Sequence, residues 1–141
     1  MTQRLREGVV VACRRDDGRW LVVRRAAGVR RAPGKVGFPG GSVEPGETQA
    51  QAVVREMAEE LSVHVRPIEA IWSADDQVPG FVLVGWRAEL LTPADRIVAD
   101  PAEVAEVLWL STDALLAHAD GFENNHLFLE ALEAAEAAAR R

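Results

Sequence analysis

The sequence predicts a mixed α/β fold in a single domain over residues 1–141. Short apolar runs of strand length lie on both sides of one uninterrupted helical segment, and a second helical segment ends the chain. Glycines and prolines separate these runs, without repeats or low-complexity linkers. With 48% hydrophobic and 27% charged residues, a chain of 141 residues can enclose a core between sheet and helices.

Two strands are predicted near the N-terminus, followed by a glycine-rich loop. Gly8 to Arg14 and Arg19 to Arg24 are apolar runs on either side of Asp16-Asp17-Gly18, which is typical of a hairpin turn. We therefore expect these strands to pair. The segment from Ala26 to Gly37 is predicted to be a loop and leads into Phe38-Pro39-Gly40-Gly41.

A helix is predicted from Gln49 to Leu61, because this run contains neither glycine nor proline. Thr48 can cap its N-terminus, and Gln51 three residues later can complete a capping box. At about 100° per residue, the helix has an apolar stripe that can dock on a sheet and an acidic stripe beside it. The apolar stripe contains Ala50, Val53, Val54, Met57 and Leu61, and the acidic stripe contains Glu56, Glu59 and Glu60.

The rest of the chain is predicted to form three more strands and two helices. Ser111 or Thr112 can cap a short helix that runs to His118. A C-terminal helix from Asn124 to Arg140 is indicated by its alanine, leucine and glutamate content. The predicted strands are Val63 to Trp72, Phe81 to Leu90 and Val104 to Leu110, with a polar turn from Ser73 to Gly80 between the first two.

The acidic stripe of the predicted helix favours a divalent metal site. Three carboxylates this close repel one another, and a bound cation would relieve that repulsion. Oxygen ligands at i, i+3 and i+4 suit Mg²⁺ or Mn²⁺, whereas a zinc site would call for His or Cys. The alternative is that these glutamates are solvated and that Arg55 simply pairs with Glu59 at i, i+4. The spacing of the residues around them favours the metal site.

These glutamates belong to a longer pattern of fixed spacing. The string Gly41-x5-Glu47-x7-Arg55-Glu56-Met57-x-Glu59-Glu60-x-Ser62-Val63 resembles the Nudix box, G-x5-E-x7-R-E-U-x-E-E-x-G-U, in which U is a bulky aliphatic residue. Ser62 stands where the family has a glycine that ends the catalytic helix in a left-handed turn. A side chain in that conformation costs about 1 kcal/mol, so the difference concerns stability more than chemistry.

The resemblance implies a Nudix fold, a mixed β-sheet sandwiched between helices (α/β/α), and an enzyme that hydrolyses a nucleoside diphosphate linked to another group. The cofactor it implies is Mg²⁺, with Mn²⁺ as a substitute. It also assigns roles to residues of the box. Glu56 and Glu60 would be the principal metal ligands, with Glu59 and the backbone carbonyl of Gly40 as further ligands, while Arg55 would orient the glutamates and Glu47 would support the loop or an outer metal position.

A general base is also implied, because water must be activated to attack a phosphorus atom. Members of the family often take this base from a glutamate six residues before a late tryptophan. Glu103 has that relation to Trp109, and Glu106 is the nearby alternative. A third interpretation is that both are exposed loop acids.

Outside the box, the chain is similar to the MutT-like branch, whose members convert nucleoside triphosphates to monophosphate and pyrophosphate. The cluster of Arg24, Arg25, Arg30 and Arg31 upstream of the acidic helix predicts that Arg24 or Arg25 holds phosphate, and the alternative is a solvated strand end and loop. The similarity to the branch implies that Asn125, at the start of the last helix, reads the purine edge. An amide offers both a donor and an acceptor, as base discrimination requires. An asparagine there can also cap the helix, although Asn124 can fill that role. Phe38 can stack on the base or belong to the core.

Charge and composition limit the partners. The net charge of −6 argues against a surface for polymeric nucleic acid, so a small nucleotide is the expected substrate. No apolar run reaches the ~18 residues of a membrane span, and the single cysteine, Cys13, cannot form an internal disulfide. We therefore expect a cytoplasmic protein without a membrane partner. A homodimer is compatible with the sequence.

Two alternative functions remain at this point. ADP-ribose hydrolysis is one, because Pro79 lies sixteen residues beyond the box, near where that subgroup carries a proline. The acidic residue expected shortly after it is missing, and the chain has no added N-terminal dimerisation region. A non-catalytic nucleotide-sensing module is the other, although all four box glutamates are present.

Overall fold

The computed structural model describes residues 6–75 and 80–140, which form seven strands, three α-helices and a short 3₁₀ turn at Ala94–Arg96. Among the helices of these two ranges, none has the length and apolarity needed to span a bilayer. The strands are β1 (Arg6–Ala12), β2 (Trp20–Arg25), β3 (Val36–Gly37), β4 (Gly40–Ser42), β5 (Val65–Asp75), β6 (Phe81–Leu90) and β7 (Val104–Leu110), and the helices are α1 (Gln49–Leu61), α2 (Thr112–Leu116) and α3 (Asn125–Ala139).

The strands form two sheets. A four-stranded mixed sheet has the order β4-β1-β6-β5, in which β1 and β6 are parallel and the other neighbours are antiparallel. A three-stranded antiparallel sheet has the order β3-β2-β7. The mixed sheet places β4 beside β1, and α1 is the next element after β4 along the chain.

Helices cover both faces of the sheets. Leu21 and Val23 of β2 belong to a core cluster shared with α1, whereas Trp20 and Val22 belong to a second cluster shared with α2 and α3. Alternation of this kind is expected of a strand with both faces buried. The predicted α/β/α arrangement is therefore confirmed. The helix residues in the clusters are Val53, Met57 and Leu61 of α1, Leu115 of α2, and Phe128, Leu129 and Leu132 of α3.

The first two strands do not pair along their length, so that prediction is wrong. The turn forms, with Gly18 at φ 86°, and Arg14 and Trp20 make an isolated antiparallel bridge. Beyond it, β1 and β2 separate into different sheets, where each gains partners on both of its edges. Cys13 lies just after β1 and is buried, and burial raises the pKa of its thiol to about 12.

The remaining boundaries differ by a few residues. β5 begins at Val65 and continues to Asp75, into the segment predicted to be a turn. α2 ends at Leu116, and α3 begins at Asn125. Pro79, on which the ADP-ribose alternative partly depends, lies outside the described residues.

Both predicted ends of α1 are confirmed. The side chain of Thr48 accepts a hydrogen bond from the N–H of Gln51, whose own side chain accepts from the N–H of Thr48. Ser62 adopts the left-handed conformation, with φ 57° and ψ 37°, and its N–H donates to the carbonyl of Ala58 at 3.0 Å. A serine thus occupies a backbone conformation that favours glycine.

Candidate metal and catalytic site

Three carboxylates meet at one side of α1. Oxygen atoms of Glu56, Glu60 and Glu103 lie within 4.8 Å of one another, and no other such group of possible metal ligands occurs in the described ranges. Glu56 and Glu60 are one helical turn apart on α1, and Glu103 directly precedes β7. Glu60 is 4% exposed, whereas Glu103 is exposed. The cluster therefore has a buried side and an open side.

Two glycines of β4 make room for this cluster. A Cβ atom on Gly41 would lie 2.4 Å from the carboxyl carbon of Glu56. One on Gly40 would lie 1.9 Å from the carbonyl oxygen of Val9 on the neighbouring strand β1. The N–H of Gly40 donates to Glu60 at 3.2 Å. The two glycines thus allow β4 to pair with β1 and the helix carboxylates to approach the strand.

Burial makes negative charge costly in this cluster. It raises the pKa of Glu60 to about 8, and the charges of Glu103 and Glu56 add to the effect. The Gly40 N–H and the charge of Arg25 act in the opposite direction. Burial also raises the pKa of Glu56, which Arg55 partly offsets. The cluster offers only oxygen ligands, and the nearby arginines offset only part of its negative charge. A hard divalent cation prefers such ligands and would supply the missing positive charge, so these residues fit such an ion.

Arg55 fixes the orientation of the carboxylates around it. Its Nε and one terminal nitrogen bind the two oxygens of Glu47 at 2.8 and 2.9 Å, and this pairing lowers the pKa of Glu47. The other terminal nitrogen donates to Glu56 at 2.9 Å and to Glu59 at 3.1 Å. Arg55 also donates to the carbonyl of Ser42 at 2.8 Å. Bidentate pairs of this kind are geometrically specific, so Glu47 holds Arg55 and Arg55 holds Glu56.

A loop from another part of the chain brings Glu103 to the cluster. The N–H groups of Val98 and Asp100 donate to the carbonyls of Leu61 and Glu60, at 3.1 and 2.8 Å. The N–H of Ala26 then donates to the carbonyl of Glu103 at 2.9 Å. Because these bonds satisfy carbonyls at the C-terminal end of α1, the loop is part of the helix cap.

The family model described as NUDIX domain matches residues 4–132. The chain belongs to the Nudix family. Enzymes of this family hydrolyse nucleotide-linked substrates and generally use divalent metals. The acidic cluster lies on the helix that carries the Nudix box, with Glu103 added from the loop before β7.

Two curated relatives give a finer comparison. The NAD-capped RNA hydrolase NudC of Stutzerimonas stutzeri is 34% identical over 112 residues, which cover 79% of this chain and 38% of that protein. NudC of Escherichia coli O1:K1 / APEC is 35% identical over 107 residues, 76% of this chain and 39% of that protein. The chain thus spans about two fifths of the length of these relatives.

Solved structures agree in fold. The MutT protein of Methanosarcina mazei Go1 superposes with a TM-score of 0.81 at 20% identity, covering 96% of this chain and 98% of that one. The ORF135 protein of E. coli superposes with a TM-score of 0.74 at 29% identity, covering 96% and 94%. The Nudix fold predicted from the box therefore extends over nearly all of the chain.

Glu59 and Glu106 are not among the three carboxylates that meet. The side chain of Glu59 is 60% exposed and pairs with Arg55, outside the three carboxylates that meet. The side chain of Glu106, the alternative base, is 52% exposed and pairs with Arg24 at 3.3 Å. The structure thus brings Glu103, and not Glu106, to the box glutamates.

The two arginines at the end of β2 have different surroundings. Arg24 donates to the carbonyl of Gly34 at 2.8 Å and to Asp120 at 2.9 Å, and it also pairs with Glu106. It therefore ties three separate segments together. The charge of Arg25, in contrast, lowers the pKa of Glu60. Of the pair, Arg25 is the one whose charge reaches the acidic cluster.

Asn125 and Phe38 lie on the α3 side of the sheets. Asn125 is 7% exposed, and its side-chain nitrogen donates to the carbonyl of Val36 at 3.1 Å. Asn124 precedes the helix but makes no capping hydrogen bond with its side chain. Phe38 is 8% exposed and packs edge-on against Phe128, with ring centroids 4.8 Å apart. Phe38 is thus a core residue, and Asn125 is held from one side by the backbone.

Sequence inspection missed two aspartates that fix the site. Asp120 pairs with Arg24, which is 96 residues away in the chain, so no local pattern could reveal the pair. Asp100 anchors the loop that carries Glu103. A signal for Asp100 does exist, because aspartate before proline favours a turn.

Proposed function

We propose that this Nudix hydrolase is a Mg²⁺-dependent pyrophosphohydrolase that converts a nucleoside triphosphate to monophosphate and pyrophosphate. The observation that carries the proposal is the convergence of Glu56, Glu60 and Glu103, with Glu60 almost fully buried. A structural role would not call for three mutually repelling carboxylates around a buried Glu60. The cytoplasmic location and the single domain over residues 1–141 stay predictions.

The residues that would hold the metal are Glu56 and Glu60, with the carbonyl of Gly40 and the more exposed Glu59 completing the set. When bound, the cation supplies charge that neutralises phosphate oxygens and makes a bound water more acidic. Mn²⁺ meets the same oxygen donors and is expected to substitute. Glu47 and Arg55 keep Glu56 in place through the hydrogen bonds described above.

Glu103 is the residue we assign as general base. It is exposed and adjacent to the other two carboxylates, so it can accept a proton from a water on the open side of the cluster. Arg25 is the better candidate for a phosphate contact, because its charge already acts on Glu60. Asn125 retains a side-chain oxygen that accepts no hydrogen bond from residues 6–75 or 80–140, which suits recognition of a base edge.

A second candidate is hydrolysis of a dinucleotide pyrophosphate of the NAD type. It is favoured by curated relatives at 34% and 35% identity that are named NAD-capped RNA hydrolases. The net charge of −6 predicts a small-molecule substrate, whereas the names of these relatives refer to a capped RNA. ADP-ribose and other nucleotide sugars remain a third candidate on the family's general chemistry.

A substrate panel with Mg²⁺ or Mn²⁺ tests these proposals. It would compare ordinary and oxidised nucleoside triphosphates, NAD, NAD-capped RNA, ADP-ribose and dinucleoside polyphosphates, with Glu60→Gln and Glu103→Gln proteins run in parallel. We expect the highest kcat/KM on a nucleoside triphosphate and a large fall in kcat in both variants. Preference for NAD or NAD-capped RNA would select the second candidate. Full activity of Glu60→Gln protein would contradict the metal site itself.

A further inference from the structure

Asp100 is the centre of the turn that leads to Glu103. Its carboxylate accepts a hydrogen bond from the N–H of Ala102 at 3.0 Å. Its carbonyl accepts from the N–H groups of Glu103 and Val104, at 3.1 and 2.9 Å. An aspartate whose side chain binds the backbone two residues later forms an Asx turn, which mimics a backbone turn. Asp100 therefore closes this turn from both its side chain and its backbone.

The same residue joins the turn to the acidic cluster. The N–H of Asp100 donates to the carbonyl of Glu60 at 2.8 Å. On the other side of the turn, the N–H of Ala26 donates to the carbonyl of Glu103 at 2.9 Å. Two backbone hydrogen bonds of Asp100 thus connect Glu60 to Glu103, because its N–H donates to the Glu60 carbonyl and its own carbonyl accepts from the N–H of Glu103.

The neighbours of Asp100 restrict its backbone further. Ile97 and Ala99 pack against the core cluster that includes α1, so the chain enters the turn from a fixed position. Pro101 follows, and a residue before proline is held to extended conformations. The bond from the N–H of Ala102 to the Asp100 side chain then helps to fix the course of the chain after Pro101, together with the two backbone bonds to the Asp100 carbonyl.

We infer that Asp100 is a positioning residue that holds Glu103 beside Glu56 and Glu60 by closing the turn between them. The inference rests on the proposed function, in which Glu103 is the general base. Loss of the Asp100 carboxylate would remove the hydrogen bond to Ala102, so the turn would hold Glu103 less firmly beside the other two carboxylates. A displacement of about 1 Å at a reacting group can lower the rate by about 100-fold.

The test is steady-state kinetics of three Asp100 variants on the nucleoside triphosphate hydrolysed fastest in the panel. Asp100→Ala should lower kcat by about 10- to 100-fold, with KM and the half-saturating Mg²⁺ concentration changed less than about twofold. Asp100→Asn keeps the accepting oxygen and should stay within about threefold of the parent, and Asp100→Ser should fall between the two. Asp95→Ala, at an exposed position of the 3₁₀ turn, is the matched control and should be unchanged.

Assays are run well below the lowest melting temperature of the set, so that unfolding does not contribute to the rates. An Asp100→Ala protein with unchanged kcat would overturn the inference. So would an Asp100→Asn protein as slow as the alanine variant, because the charge rather than the turn would then matter.

A double variant separates this inference from the proposed function. Because both changes act on Glu103, Asp100→Ala added to Glu103→Gln should cause no further loss of kcat. Losses that multiply would show that Asp100 acts elsewhere and would overturn the inference while leaving Glu103 as base. A Glu103→Gln protein with full activity would instead remove the base assignment, and the role of Asp100 with it.

Discussion

Both sides of the sheets bury an apolar cluster, but the α1 side also holds a group of carboxylates. On the α1 side, carboxylates crowd around Arg55 and Glu60, and burial raises the pKa of Glu60 to about 8. On the α3 side, aromatic rings pack closely, with Trp72 and Phe128 stacked at 5.6 Å. The α1 side therefore holds charge against its tendency to be solvated, in addition to its apolar core, while the α3 side depends on apolar and aromatic packing. Substitutions on the α1 side should therefore change mainly activity, and substitutions on the α3 side should change mainly stability.

The largest effect is expected from Glu60→Gln. Turnover should fall by at least about a thousandfold, since the buried metal carboxylate is lost. The metal-free protein should become more stable at pH 8, because a neutral amide avoids the cost of a buried anion. Kinetics with Mg²⁺ and thermal melts in EDTA measure the two effects. Glu130→Gln, on the exposed face of α3, is the control and should change neither. A less stable Glu60→Gln protein would contradict our account of the burial cost.

Alanine substitutions of one glycine on each side should affect activity on the α1 side and stability on the α3 side. A Cβ on Gly41 would lie 2.4 Å from the Glu56 carboxyl, which can move away, so Gly41→Ala should lower kcat by about 10- to 100-fold with little loss of stability. A Cβ on Gly85 would lie 2.6 Å from the Phe128 ring, which is fixed in the core. Gly85→Ala should therefore cost about 1–3 kcal/mol of unfolding free energy.

Kinetics and thermal melts of both proteins check this contrast. Gly28→Ala is the control, since nothing lies within 4 Å of its added Cβ. If Gly41→Ala mainly lost stability while keeping its kcat, the two sides would not differ in the way we describe.

Substitutions of Arg24 and Arg25 should also affect different quantities. Arg24→Ala should lower the melting temperature, because Arg24 joins Gly34, Asp120 and Glu106. Arg25→Ala should instead raise KM for the nucleotide, with a smaller change in melting temperature. Melting curves and KM values for both proteins test this. A KM effect confined to Arg24→Ala would reverse our assignment of the phosphate contact.

The pH dependence of stability follows from Glu60. Its pKa is about 8 in the folded protein against an ordinary 4.5, so the folded state binds this proton more tightly than the unfolded state does. The stabilising contribution is fully present below pH 4.5 and is lost as the pH rises to about 8. The free energy of unfolding in EDTA, compared between parent and Glu60→Gln, should show that slope only in the parent. Identical slopes would count against the shift.

Proton and metal also compete for Glu60. Stabilisation by Mg²⁺ should therefore be larger at pH 8.5 than at pH 6, because less of the carboxyl is protonated at the higher pH. Melts with and without Mg²⁺ at the two pH values measure this. Equal stabilisation at both would mean that Mg²⁺ binds elsewhere.

The smallest effect is expected at the end of α1. Ser62 has φ 57°, which costs a serine about 1 kcal/mol relative to glycine. Ser62→Gly should therefore raise the melting temperature by about 2–4 °C and leave kcat unchanged. A clear fall in both would mean that the Ser62 side chain contributes something the left-handed turn does not explain.

More of the structure on the α1 side than on the α3 side could be predicted from the sequence. The spacing from Gly41 to Glu60 lies on one helix and the strand before it, so local geometry fixes which carboxylates meet. The capping box at Thr48 and the turn at Ser62 are local for the same reason. Glu103 could be found only through its relation to Trp109, since the Asp100 turn that brings it close is tertiary.

The structure on the α3 side depends on contacts between residues that are far apart in the chain. Phe38 is in the core because Trp20 and Phe128 surround it, and Arg24 is engaged because Asp120 folds back to it. Local pattern also predicted that β1 and β2 would pair, but each strand has better partners in its own sheet. The hairpin turn was recognisable, whereas the choice between sheets depends on the whole topology.

Anomalous diffraction from crystals soaked in Mn²⁺ tests the central claim most directly. We expect a peak about 2.0–2.2 Å from carboxylate oxygens of Glu56 and Glu60 in the parent, and no peak there in Glu60→Gln crystals. A protein that hydrolyses a nucleotide pyrophosphate with Mn²⁺ yet shows no peak at these carboxylates would contradict the account.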